Sequence, residues 1–520
     1  MVPLPNEIIV EIFFFYNHSY DPLLDYSDEP PRWKILPQSW YNCRWIHLML
    51  VCRRWREIGL STRSLWRASR IGRKVEWLRL VLTRSGNLPV DLRFDESAPI
   101  LLYTPLLVSH IHRFRSVFLH DTQMPHALPL LQAIFNADTS LPLLSGIDVS
   151  TAPGGRLDLS PTRFPALRSL RLSSKNIHWT PAMFHQLRRL DLNECTYRDS
   201  ALTMSQMMDV LAECAELEHL RLRLFLSKLR QRPTTTNDRT PITFPKMRVL
   251  DICETPAVIS RFLSRVQLSA DIDVVEITGR MAEATEDLSD AFMSLLPADR
   301  SGLALLRSVR HGQIDCWIDS WALVGQAEQR SGPKMTIALE FARNPRDSIA
   351  FYLENAMREF ATIFAGAPLT TLHVLGDHQY ASRPGAWVRL FAAFPTIEYL
   401  EIVGSDKPLA LVGALGQPLW EEDSDSDAGS ETDSTDSADE PLVLPNLGAM
   451  SLEYLEWCPG LIEAMVTVFR RRVNRGMPKV DLGFRLETSD EDGFAGTMRE
   501  CYEELESVTT GLDVDLYGSL

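Results

Sequence analysis

Residues 4–16 read LPNEIIVEIFFFY and place Ile8, Ile9, Ile12, Phe13 and Tyr16 at the i, i+3, i+4 spacing of an amphipathic helix. Pro5 falls in the first turn, where a missing N–H costs nothing. The stretch 17–37 is polar and proline-bearing, which predicts a loop. A second helical pattern runs through WYNCRWIHLMLVCRRWREIGL (40–60), with Trp40, Trp45, Leu48, Val51, Cys52 and Trp55 expected along one buried stripe. It closes at STRSLW (61–66), where Leu65 and Trp66 add an apolar anchor.

Beyond residue 110 the pattern changes to a recurring phrase, L-x-x-L-x-L, often introduced by Phe-Pro. Its clearest copies are FPALRSLRL (164–172), FHQLRRLDL (184–192), AELEHLRL (215–222), FPKMRVLDI (244–252) and FPTIEYLEI (394–402). Weaker copies stand at FRSVFL (114–119), LLSGIDV (143–149), IDVVEI (272–277), LTTLHV (369–374) and LGAMSL (447–452). The closing apolar residues from Leu119 through Val149, Leu172, Leu192, Leu222 and Ile252 to Ile277 recur at intervals of 20 to 30 residues. These intervals straddle the period of leucine-rich repeats. Each phrase predicts a short strand with alternate residues buried, and a helical or irregular return lets the next strand lie parallel beside it. Helical returns are expected at 204–217, 347–364 and 461–473, and further strands at MTIALEF (335–341) and KVDLGFR (479–485). The predicted fold class is therefore mixed α/β: a small helical module followed by a curved, irregular, leucine-rich-repeat-like solenoid. An ordinary α/β domain with leucine-rich strands is the alternative.

In such an array the residue between the last two leucines points away from the core, onto the strand surface. Those positions are Arg171, Asp191, Arg221, Asp251, Glu276, His373, Glu401 and Ser451. The first four alternate in sign and neighbouring strands lie about 4.8 Å apart, so they can neutralise one another across the ladder. The functional reading of the same row is a surface for a captured protein.

A chain of 520 residues exceeds one compact core, so a small domain plus a long array is admissible. The N-terminus lacks the positive charge and apolar run of a secretory signal. The longest apolar stretches, such as Leu409 to Leu415, fall far short of the roughly 20 residues that span a bilayer. Eight scattered cysteines without a C-x-x-C pair are expected as reduced thiols, which points to a cytoplasmic or nuclear location. Of the net charge of −15, ten negative charges sit in residues 421–440, leaving no basic face for nucleic acid. Basic runs at Arg221, Arg223, Lys228, Arg230 and Arg232, and at Arg470, Arg471, Arg472 and Arg475, read as solvated faces. A nuclear import signal or a contact for a partner's acidic patch is the alternative.

The ordered blocks L-P-x-E-I-I-x-E-I-F, V-C-R-R-W-R-E-I and S-L-W strongly resemble the F-box, in the form common in mushroom-type fungi. The resemblance covers about residues 3–66 and departs from the compact motif in the polar stretch 17–37. It implies a helical bundle that docks on the Skp-type adaptor of an SCF (cullin–RING) ubiquitin ligase. A helical unit of this size cannot hide so many Trp, Ile and Phe internally, and a surplus apolar face wants a partner. Leu4, Pro5, Ile8, Ile12 and Leu65 are the expected adaptor-binding residues. Trp55 and Trp66 belong either to that face or, more simply, to the module's core.

The domain organisation follows: the F-box at 1–70, a connecting segment at 71–110, the repeat array at 111–420, an acidic insert at 421–440, and C-terminal repeats and cap at 441–520. The insert, EEDSDSDAGSETDSTDSADE, has nothing to bury and is expected to be disordered. Its Ser424, Ser426, Ser430, Thr432, Ser434, Thr435 and Ser437 lie among acidic residues, which resembles the substrates of casein kinase II-type enzymes. Ser424, Ser426 and Ser434 are the leading phosphorylation candidates, with a plain solvating linker as the alternative.

No phosphate loop, G-x-G-x-x-G, H-E-x-x-H or G-x-S-x-G appears. His110, His112, His120 and His126, with Asp121, cluster in sequence without a definable coordination sphere and read as surface or turn residues. No catalytic residue, cofactor or metal is expected. The functional expectation is a non-enzymatic substrate receptor: the F-box joins a Skp-type adaptor and cullin core, and the repeats hold a protein substrate, without membrane or nucleic acid. The alternative is an F-box and repeat scaffold that binds proteins without ubiquitination.

Overall fold

The computed structural model describes residues 4–18, 43–119, 124–136, 140–149, 160–173, 184–195, 203–230, 241–269, 271–281, 289–317, 320–328, 332–341, 353–376, 383–404, 408–417, 442–488 and 491–518. The chain divides into two compact units, residues 1–250 and 251–520. The architecture is mixed α/β, with an N-terminal helical module followed by long runs of parallel strands.

In the first unit the helix Asn6–His18, the 3-10 turn Arg44–Leu50, the helix Arg53–Ser61 and the 3-10 turn Arg63–Trp66 form the helical module. The expected continuous helix over 40–60 is broken at Val51 and Cys52, both exposed. The break resets the helical phase, so Trp45 and Ile58 point inward while Val51 leaves the buried stripe. Trp40 lies outside the described residues.

The segment 71–110, expected as a connection, already carries part of the array. Strand Ala68–Ile71 pairs in parallel with Val90–Phe94, separated by the helix Val75–Arg84, and Val90–Phe94 pairs with Phe114–Leu119 after the helix Ile100–His110. The succession continues through Gly146–Val149, Ser169–Leu172 and Arg189–Asn193 to His219–Arg223, every step parallel. One register row joins Leu92, Val117, Ile147, Leu170, Leu190 and Leu220, all buried. Each such side chain contributes about 1.5–3 kcal/mol by leaving water.

The repeated phrase has one local geometry. Three positions before the phrase's first apolar residue stands a buried residue, Phe or Cys in the clearest copies, whose carbonyl accepts from that apolar residue's N–H: Phe164 from Leu167 (3.1 Å), Phe184 from Leu187 (2.9 Å), Cys214 from Leu217 (3.1 Å) and, in the second unit, Phe394 from Ile397 (3.3 Å). The following N–H then reaches back one repeat, as Arg188 does to Arg168 O and Glu218 to Arg188 O, both at 2.8 Å. Tight turn and backward bond together set the register of each new strand. The expected helix at 204–217 is observed as Met204–Ala212, opened by a capping box in which Thr203 and Gln206 exchange bonds.

The second unit departs from strict succession. Val274–Met281 pairs in parallel with Lys334–Phe341, and between them in the chain His311–Trp317 and Ser320–Gln326 form an antiparallel hairpin. Ser320–Gln326 runs antiparallel to Lys334–Phe341, and His311–Trp317 resumes the parallel series with Thr371–Gly376. Tyr399–Gly404, Ala449–Glu456, Val480–Thr488 and Thr509–Gly518 follow in order. Gly312 and Gly325 stand directly opposite in the hairpin, and a Cβ on either would meet Phe360 at 2.5 Å or Phe364 at 2.6 Å. The two glycines thus let the helix Leu353–Ile363 and the residue just after it seat their aromatic rings on the hairpin.

No helix among the described residues is long and apolar enough to cross a membrane, and no disulfide joins the eight cysteines.

Candidate functional site

Phe13 and Trp45 meet edge to face at 6.1 Å, Trp45 and Trp66 at 5.0 Å, and Trp66 leans on Trp77 of the first return helix at 5.6 Å. The Trp66 indole N–H donates to Gly59 O at 2.9 Å, which satisfies its one polar atom. Trp66 is therefore core, while half-buried Trp55 lies against Phe13 at 5.7 Å. Gly59 itself is packed beneath Met49, whose side chain would lie 2.8 Å from an added Cβ.

With Ile9 and Phe13 turned inward, the first helix presents a second apolar stripe outward. Leu4 is 49% exposed, Ile8 46% and Phe15 77%, with half-buried Ile12 between them, and Leu50 at the module's break is 73% exposed. Leu4, Pro5, Ile8 and Ile12 thus lie on or beside an outward face. Leu65 does not: at 4% exposure it fills the interior alongside Trp66. Its 3-10 turn points it inward, a direction that the S-L-W block does not disclose.

Sequence reasoning missed three contributors. Phe15 continues the stripe from Ile8 and Ile12 at +4 and +3, a signal present in FFFY but obscured by three successive phenylalanines. Leu50 is exposed only because the second helix breaks. Arg54 donates through Nη2 to Asn6 Oδ1 at 2.7 Å and also to Leu4 O, tying the start of the first helix to the helix Arg53–Ser61. An arginine anchoring the Leu4-Pro5 corner gives that exposed edge a fixed geometry.

The strand-surface row lies in register. Asp148, Arg171, Asp191 and Arg221 stand opposite one another on successive strands. Arg171 reaches Asp191 at 3.1 Å and Asp148 at 3.8 Å, and Arg221 reaches Asp191 at 3.8 Å. Arg221 is buried, as is Asp251 in the second unit, so these two are not open surface. In the second unit His373 stands opposite Glu401, which its Nδ1 contacts, and Glu401 opposite Ser451, while Glu276 pairs with Thr336. His373, Glu401, Ser451, Glu276 and Thr336 are all half-buried.

Of the basic runs read as solvated, Arg472 is fully buried. Its guanidinium donates to Leu415 O (3.2 Å), Val443 O (2.7 Å) and Leu444 O (2.6 Å). Burial pulls its pKa down to about 10. Ser424, Ser426, Ser430, Thr432, Ser434, Thr435, Ser437, His120 and Asp121 lie outside the described residues. No group of three His, Cys, Asp or Glu that could hold a metal occurs among the described residues.

Residues 2–71 match the model of the F-box-like family, a span that ends with the first strand, Ala68–Ile71. This supports an F-box protein, and F-box domains generally bind Skp-type adaptors. No curated protein matches the chain.

Proposed function

We propose that the chain is the substrate receptor of an SCF-type ubiquitin ligase, joined to a Skp-type adaptor by the outward stripe of its first helix and to a target protein by its parallel-strand array. The observation that carries this reading is a helical module in which Leu4, Ile8, Phe15 and Leu50 stay exposed although Ile9, Phe13, Trp45 and Trp66 already fill a core. A surplus apolar face on a match to the F-box-like family calls for the partner that F-boxes use. The receptor performs no catalysis of its own. Its contribution is proximity, which turns the encounter between a target lysine and the charged conjugating enzyme into a local event. The array, a leucine-rich-repeat-like solenoid in this reading, supplies the capturing surface, and the protein works in the cytoplasm or nucleus.

The test is a pull-down of the full chain from native extract followed by mass spectrometry. Recovery of a Skp-type adaptor together with a cullin is the expected result. Recovery of other proteins without either would overturn the proposal in favour of a scaffold.

A further inference from the structure

In the second unit the sheet face opposite buried Ile314, Val374 and Ile402 carries an aliphatic stripe across five strands. Ala338 stands opposite Ala322, Ala322 opposite Asp315, Asp315 opposite Leu375, and Leu375 opposite Val403. Asp315 is thus the one ionisable group of the stripe, with an aliphatic neighbour on either side.

That carboxyl is half-buried and incompletely bonded. Its Oδ2 accepts from Gln313 Nε2 at 3.0 Å, whereas Oδ1, withdrawn from solvent, has no hydrogen-bond partner among the described residues. Burial raises its pKa, against the hydrogen-bonding pull of Gln313 and Trp317 and the more distant charge of Lys334. On the same face Glu401 meets His373 Nδ1 and Glu453 lies by Arg485, but no cationic side chain among the described residues forms an ion pair with Asp315. A bare carboxylate oxygen among aliphatic side chains is costly, and a donor supplied from outside would remove that cost. Trp317, two residues along the strand and so on the same face, is 37% exposed. Stripe, indole and carboxylate together offer a surface for each part of an arginine: its methylenes, its flat cation and its N–H groups.

We propose that this site seats one arginine side chain of a captured protein, its stem lying on Leu375 and Val403 and its guanidinium stacked on Trp317 and donating to Asp315 Oδ1 as the indole ring turns aside. Arginine is favoured over lysine because only a planar cation stacks on the indole while donating edgewise to the carboxylate. This rests on the reading that the array captures a protein, and it names the side chain by which that protein is held. Tryptophan and arginine are the residues that most often anchor such contacts.

The probe is N-acetyl-arginine methylamide, titrated into the full chain carrying 5-fluorotryptophan and followed by fluorine NMR. Among the twelve tryptophans the Trp317 signal is assigned by its loss in Trp317→Phe. That signal is expected to move with the arginine probe, to move less with the lysine analogue, and to stay in place with the citrulline analogue, which keeps the shape and drops the charge. Asp315→Asn, which is nearly isosteric, is expected to weaken the arginine response by at least about tenfold. The same variant should melt no lower than the parent, because it removes an unpaired charge from a half-buried place. No movement with the arginine probe, an equal response to the lysine or citrulline analogue, or an unchanged response in Asp315→Asn would overturn the inference. Co-purification of a Skp-type adaptor is scored on the same chain: adaptor present without an arginine response refutes the arginine site alone, and an arginine response without adaptor refutes the ligase reading alone.

Discussion

The Arg472 guanidinium donates to the carbonyl of Val443 at 2.7 Å, and through the same nitrogen to Leu415 O at 3.2 Å, so one buried side chain holds the chain on both sides of residues 418–441. Val443 N–H closes the neck by donating to Gln417 O at 3.3 Å. Among the described residues, the two flanks of 418–441 are thereby joined directly to each other and to Arg472.

Replacing Arg472 by Ala strands three buried carbonyls and should cost about 3 kcal/mol in urea unfolding. Deleting 421–440 should shift stability by under about 1 kcal/mol, because a longer or shorter loop over a closed neck changes only its closure entropy. Equal losses for both variants would refute the neck.

Glu359 gives the second unit a pH dependence. It is buried, one oxygen accepts from Met293 N–H at 2.6 Å, and burial, with Asp290 adding to it, pushes its pKa up to about 7 against the opposing pull of that bond and of Arg358. A carboxyl whose folded pKa lies above its unfolded value binds its proton more tightly in the folded state, so stability falls as pH rises from about 4.5 to about 7. Denaturant unfolding should show a loss on the order of 2 kcal/mol between pH 5 and pH 8. Glu359→Gln should flatten this profile, and a variant that keeps the wild-type slope would show that another group carries it.

Arg171 and Asp191 test the ladder. The pair is partly exposed, so a double-mutant cycle with Arg171→Ala and Asp191→Ala should give a coupling of about 0.5–1 kcal/mol that shrinks in high salt. No measurable coupling at low salt would mean that the row does not neutralise itself.

Core and outward face of the helical module should separate cleanly. Trp66→Ala removes a side chain packed against both Trp45 and Trp77 and should cost about 3–5 kcal/mol. Phe15→Ser, on the exposed stripe, should leave thermal stability nearly unchanged.

Much of this was legible in the residues. Phrases such as F-P-x-L-x-x-L-x-L mark their strands because a turn with a buried first residue and an alternating strand leave a periodic trace. Arg171, Asp191 and Arg221 fell in register for the same reason. The hairpin 311–326 escaped notice because its pairing rests on Gly312 and Gly325 beneath aromatic rings of a distant helix, a contact with no local signature. The burial of Leu65 and Arg472 was equally invisible, since each depends on what packs around it from elsewhere in the chain. The break at Val51 and Cys52 changed which residues of the module face outward, exposing Leu50.

The most direct test is calorimetric titration of the full chain with a purified Skp-type adaptor, comparing wild type with the doubly substituted Leu4→Ala, Pro5→Ala chain. The wild type should form a one-to-one complex, and the variant, with an unchanged melting temperature, should bind at least about a hundredfold more weakly. A wild-type chain that does not bind the adaptor, or a variant that binds as tightly as wild type, would contradict the placement of the docking face.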